Sequence, residues 1–175
     1  MQFMRSFNTL ALAAAVAAGA LTIGTAAAPA SAETDCRSNQ NVWQVHRRLD
    51  GAIDQLQHDD RDYGGHRAIA VADLSRARQQ LVAAEQYAVR HDGDDAGCFR
   101  AFGSDGGSDF PWGLRSQGGS NRDLWHVRAW VDGLIAQLNR DNRDYGGHKA
   151  AAIRDMQGAA NQMLAAERFA FDHGY

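Results

Sequence analysis

The chain contains one stretch twice. Sliding it along itself so that Trp43 falls on Trp125, a shift of 82 residues, superposes 43–93 on 125–175 without a gap, and about half of the paired positions are identical. Val45 meets Val127, Asp50-Gly51 meets Asp132-Gly133, Gln55-Leu56 meets Gln137-Leu138, and His91 meets His173. The longest identical block is Arg-Asp-Tyr-Gly-Gly-His, at 61–66 and again at 143–148. Two copies of a unit of roughly fifty residues are too few for a solenoid, so the copies must bury their apolar faces against each other.

Each copy reads as two helices. Val42, Val45, Leu49, Ala52, Ile53 and Leu56 recur at three- and four-residue steps, which makes one apolar stripe. Ala70, Leu74, Ala77, Leu81, Ala84 and Ala88 make a second, matched in copy two by Ala152, Met156, Ala159, Met163, Ala166 and Ala170. Alternating small and large residues suit closely packed helices. Gly51 and Gly133 fall mid-helix, where glycine costs about 1 kcal/mol relative to alanine, and close approach of the facing helix is the expected compensation. Folding copy one back at Gly64-Gly65 sets Gly51 near Ala77, and Trp43 near Glu85 and Ala88.

The expected fold is therefore all-α: two tandem helical hairpins packed as a four-helix bundle, one compact domain overall. The first hairpin spans 33–98 and the second 122–175. A long Gly/Asp-rich linker, 99–121, joins them and carries Phe99, Phe102, Phe110, Pro111 and Trp112. Its length permits parallel or antiparallel hairpins.

The N-terminus has the layout of a secretory signal peptide over 1–32. Arg5 precedes an Ala-rich apolar run from Leu10 to Gly24, and Ala30-Ser31-Ala32 supplies a small-x-small cleavage site. The run is too short for a convincing membrane span. Export to the periplasm or the extracellular medium is the expectation, with no later span. The two cysteines, Cys36 and Cys98, then have one intramolecular pairing, across the open end of the first hairpin. Closing that loop contributes about 4 kcal/mol in the chain-entropy model. With 18 Lys and Arg against 21 Asp and Glu the chain is mildly acidic and lacks a basic cluster, which argues against nucleic acid as a partner.

The repeated block supports two readings. As a turn, the glycines adopt left-handed backbone. Asp62 caps the next helix, Tyr63 covers the tip, and His66 hydrogen-bonds across the loop. As a site, each tip gathers two aspartates and a histidine, Asp59, Asp62 and His66, then Asp141, Asp144 and His148, which are ordinary ligands for zinc or another divalent ion. Parallel hairpins would bring all six together; antiparallel hairpins would leave each tip alone. His58 in copy one is replaced by Arg140 in copy two.

Elsewhere, Glu85 and Glu167 are expected to bond the indole N–H of Trp43 and Trp125 or to lie at the core rim. His91 and His173 suit the dipole at helix C-termini. Asp92-Gly93-Asp94-Asp95 lacks the alternation and closing glutamate of a calcium loop. No H-E-x-x-H, paired C-x-x-C, C-x-x-C-H, G-x-S-x-G or phosphate loop is present. No catalytic residue and no cofactor are assigned.

Gly64-Gly65-His66-Arg67 with Ala70, and Gly146-Gly147-His148-Lys149 with Ala152, form a Gly-Gly-His-[Arg/Lys]-x-x-Ala pattern. In this the chain resembles short exported bacterial helical-hairpin proteins with that turn, here duplicated. The resemblance implies export and a helical hairpin, and brings no activity or ligand. The functional expectation is an exported, non-enzymatic binding or structural protein of the bacterial envelope, its partner a protein or small ligand, with self-association open. The alternative is a divalent-metal-binding protein using the tips.

Overall fold

The structure, a computed structural model, describes residues 30–91 and 120–175. The expected signal peptide up to Pro29, the linker up to Gly119, its aromatic residues and Cys98 lie outside the described residues.

The described chain is all-helical and forms a four-helix bundle: α1 (Ala30–Gln57), α2 (His66–His91), α3 (Ser120–Asn139) and α4 (His148–Asp172). Single 3-10 turns, Tyr63–Gly65 and Tyr145–Gly147, join α1 to α2 and α3 to α4. The stripes read from the sequence are the core. Val42, Val45, Leu49, Ala52 and Leu56 of α1 are buried, as are Leu124, Val127, Val131, Leu134 and Leu138 of α3. α3 starts two residues before the expected boundary, and α1 reaches back to Ala30, so cleavage after Ala32 would fall in its first turn. Cys36 has no free thiol.

The hairpins are antiparallel. The first tip meets the start of α3 and the end of α4, and the second meets the start of α1 and the end of α2. The chain's two copies are thus related by a pseudo-two-fold axis, and the Tyr–Ser, Arg–Asn and His–Gln contacts at one end have counterparts 82 residues away at the other.

The small-residue stripes serve a different interface from the one expected. α2 and α4, from different hairpins, share the most extensive contact in the bundle. Ala70, Ala77 and Ala84 recur every seven residues, as do Ala152, Ala159 and Ala166, and all are fully buried. With no side chain beyond Cβ, they let two helices approach closely along a shared seam. Gly133 does not mark a close approach: a Cβ there would meet nothing within 4 Å.

Near the axis, equivalent positions face each other and have diverged. The Arg48 guanidinium lies 5.7 Å from the ring centroid of Trp130, its own duplicate. Across the bundle, Arg76 bonds Asp73 and sits 3.7 Å from Asp155. The duplicate of Arg76 is Gly158, where a Cβ would stand 3.0 Å from Asp73 Oδ2. In a symmetric dimer a residue on the axis meets its own copy. Within one chain the two can become complementary, here cation on ring and bulk against space.

Candidate functional site

The Arg-Asp-Tyr-Gly-Gly-His block is a reciprocal joint between the hairpins. Three consecutive residues take left-handed backbone in each copy: Tyr63, Gly64 and Gly65 at φ 52°, 64° and 86°, and Tyr145, Gly146 and Gly147 at 55°, 62° and 85°. For the tyrosines this costs roughly 1–2 kcal/mol each. Burial of the ring offsets it, since Tyr63 is 2% and Tyr145 1% exposed.

What the buried tyrosines reach lies in the other hairpin. The Tyr145 hydroxyl donates to Ser38 Oγ at 2.8 Å, and Ser38 donates to Asp141. At the other end Tyr63 bonds Ser120, and Ser120 donates to Asp59. Arg143 donates to Asn39, and Arg61 to Asn121, both at 3.3 Å. Burial raises the Tyr63 hydroxyl above its ordinary pKa, so it stays a donor through neutral pH. Ser38-Asn39 and Ser120-Asn121 lie just upstream of the superposed stretch but keep its 82-residue offset, the signal by which sequence could have found them.

The remaining positions of the block are also engaged. His66 Nδ1 is 2.9 Å from Gln162 Oε1, and His148 Nδ1 is 2.9 Å from Gln80 Oε1, so each histidine bonds the opposite hairpin, not its own loop. Arg67 Nη1 donates to the Leu56 carbonyl at 2.8 Å, and Lys149 donates to the Asp141 carbonyl, satisfying backbone groups left after the preceding helices. Asp62 and Asp144 make no side-chain cap bond, contrary to the expected capping role. Asp59 and Asp141 instead accept the backbone N–H two residues on, at 3.1 and 3.0 Å.

Antiparallel hairpins place Asp59, Asp62 and His66 at one end of the bundle, and Asp141, Asp144 and His148 at the other. The six residues do not converge. Among the described residues no group of three or more His, Cys, Asp or Glu side chains is placed to hold a metal ion.

The glutamates pair with His46 and Arg128, not with the tryptophan indoles. Glu85 lies 2.9 Å from His46 Nδ1, and Glu167 accepts from Arg128 at 2.7 and 3.2 Å, which holds the Arg128 pKa above its ordinary value. Trp125 is half exposed. His91 and His173 cap the last carbonyls of their helices through Nδ1, at 2.9 and 2.8 Å, and stack on Tyr87 and Phe169, each with centroids 3.9 Å apart. Those rings in turn cover Gly146 and Gly64.

One polar cleft of about 730 Å³ opens at the second-tip end, between the start of α1 and the end of α3. Arg37, Arg140 and Arg143 line it, with Asn41, Gln137 and Asn142. Nothing in the sequence brings these arginines together, because Arg37 is far from Arg140 and Arg143 along the chain. No protein-family model, curated protein or solved structure matches the chain.

Proposed function

We propose that this is an exported, non-enzymatic binding protein of the bacterial envelope or its surroundings, in which the bundle is a rigid scaffold and a Cys36–Cys98 disulfide staples the first hairpin. One observation carries the reading: the Asp, Tyr and His side chains most suited to chemistry are bonded across the hairpin joint, at both ends alike. A group held in a structural hydrogen bond on a buried joint is a poor nucleophile, base or ligand. The polar cleft supports binding as the activity that remains. The layout of residues 1–32 supports export.

The test is mass spectrometry of the chain expressed in full in a bacterial host. The reading expects a product beginning at Glu33 in the exported fraction, with Cys36 and Cys98 in one disulfide-linked peptide pair. Retention in the cytoplasm with the N-terminus intact would contradict it. So would turnover of ester, phosphate or glycoside substrates that is lost in His66→Ala or His148→Ala.

A further inference from the structure

We propose that the cleft at the second-tip end binds a small organic anion through carboxylate or phosphate groups, with Arg37, Arg140 and Arg143 as its anion-binding residues. The inference rests on the binding-protein reading above and names the ligand class.

The first support is charge without compensation. Among the residues whose side chains are described, Asp141 is the one acidic group lining the cleft. Its Oδ1 already accepts from Ser38 and from the Arg143 backbone, and its Oδ2 is buried without a hydrogen-bond partner. The carboxylate is bonded into the joint and offsets one of the three positive charges, so the cleft keeps a net positive field. Arg37 and Arg140 form no ion pair or hydrogen bond among the described residues.

The second support is the divergence of the two ends. The Ser–Asp–Tyr joint is the same at both, so the fold requires the same residues of each. The residues around it differ, and most of the changes run in one direction, with Arg122 and His126 at the first end against Gln40 and Gln44 at the second as the exceptions. Asn41, Arg140 and Asn142 at the second end correspond to Asp123, His58 and Asp60 at the first, and Arg37 corresponds in sequence to Gly119. Arg37, Arg140 and Arg143 share the second end with Asp141, whereas Asp59, Asp60 and Asp123 share the first with Arg61 and Arg122. The shared scaffold does not require that change of sign; recognition of an anion accounts for it.

The third is chemical fit. A guanidinium fork pairs bidentately with carboxylate or phosphate. The amides of Asn41, Gln137 and Asn142 both donate and accept, which suits the hydroxyl groups of a polar organic ligand. A cleft of about 730 Å³ falls in the range of small-ligand sites.

The test is calorimetric titration of the mature, oxidised protein with inorganic phosphate and with citrate, at ionic strength fixed with sodium chloride. The comparison is the triple variant Asn41→Asp/Arg140→His/Asn142→Asp, which installs the residues the scaffold already carries at the first end. The expected result is saturable one-site binding of at least one probe, weakened tenfold or more in the variant and in Arg140→Gln alone, each titrated well below its own melting transition. Phosphate alone or citrate alone assigns the headgroup. No saturable binding of either probe, or equal binding by the variant, overturns the proposal. If the triple variant melts early, Arg140→Gln alone is held to the same criterion. Failure here leaves the export and disulfide results untouched, so the two proposals fail separately.

Discussion

The Phe169 ring covers Gly64 so closely that a Cβ on that glycine would stand 2.8 Å from Cε2, and Tyr87 covers Gly146 in the same way at 2.7 Å. Gly65 and Gly147 share the left-handed backbone but have nothing within 4 Å of a Cβ. The paired glycines therefore do different work: the first makes room for the other hairpin, the second only turns the chain. Gly65→Ala should cost about 1 kcal/mol from backbone conformation alone. Gly64→Ala should cost about 2–4 kcal/mol, because overpacking adds to that term. Phe169→Leu combined with Gly64→Ala should recover part of the excess. Urea unfolding of the four proteins checks the order.

The histidines of the block give a second prediction. Each bonds a glutamine of the opposite hairpin, so His66→Ala/His148→Ala should lower the melting point, at about 1 kcal/mol for each lost bond. Divalent ions should raise the melting point of neither the wild type nor the variant. A rise with one ion that vanishes in the variant would instead make the tips a metal site.

Asp123 carries a pH dependence of definite sign. Burial, and next the Asp59 carboxylate, raise its pKa above the ordinary value. A carboxyl whose pKa is raised by folding stabilises the fold only while protonated, and that contribution is lost as pH rises through the folded value. Asp123→Asn, which restores the residue found at the equivalent Asn41, should melt above the wild type at pH 7. The gap should close on acidification below the carboxylate range.

Near the axis, Arg76 is the one cation among the described residues that pairs with both Asp73 and Asp155. Asp73 is only 6% exposed. Arg76→Ala leaves a buried carboxylate beside a second one and should cost about 1–2 kcal/mol, discounted for the half-exposed arginine. Asp73→Asn in the same chain should recover most of that loss. Thermal melts of the single and double variants decide it.

Much of the architecture was legible because the duplication repeats it. Trp43 on Trp125 sets the unit, and the stripes from Val42 and from Ala70 set four helices and their buried faces. The direction of the hairpins was not legible, since the linker permits either. That unknown carried the rest with it. From sequence the Ala70–Ala88 stripe has only its own hairpin as a fixed partner, whereas α2 makes its most extensive contact with α4. His66 was expected to bond its own loop for the same reason. Helical spacing places Glu85 near Trp43 or at the core rim; it is part-buried, and His46, one turn along from Trp43, takes it. The arginine cleft is assembled from α1 and the second tip, about a hundred positions apart, and becomes visible only once the hairpins are antiparallel.

The most direct test of the reciprocal joint is a double-mutant cycle on Ser38→Ala and Tyr145→Phe, 107 residues apart in sequence, by urea unfolding. The joint predicts that the two losses are not additive, with a coupling of about 0.5 kcal/mol or more, and the same for Ser120→Ala and Tyr63→Phe at the other end. Additive losses at both ends would contradict it, and would return the repeated block to a turn that serves its own hairpin.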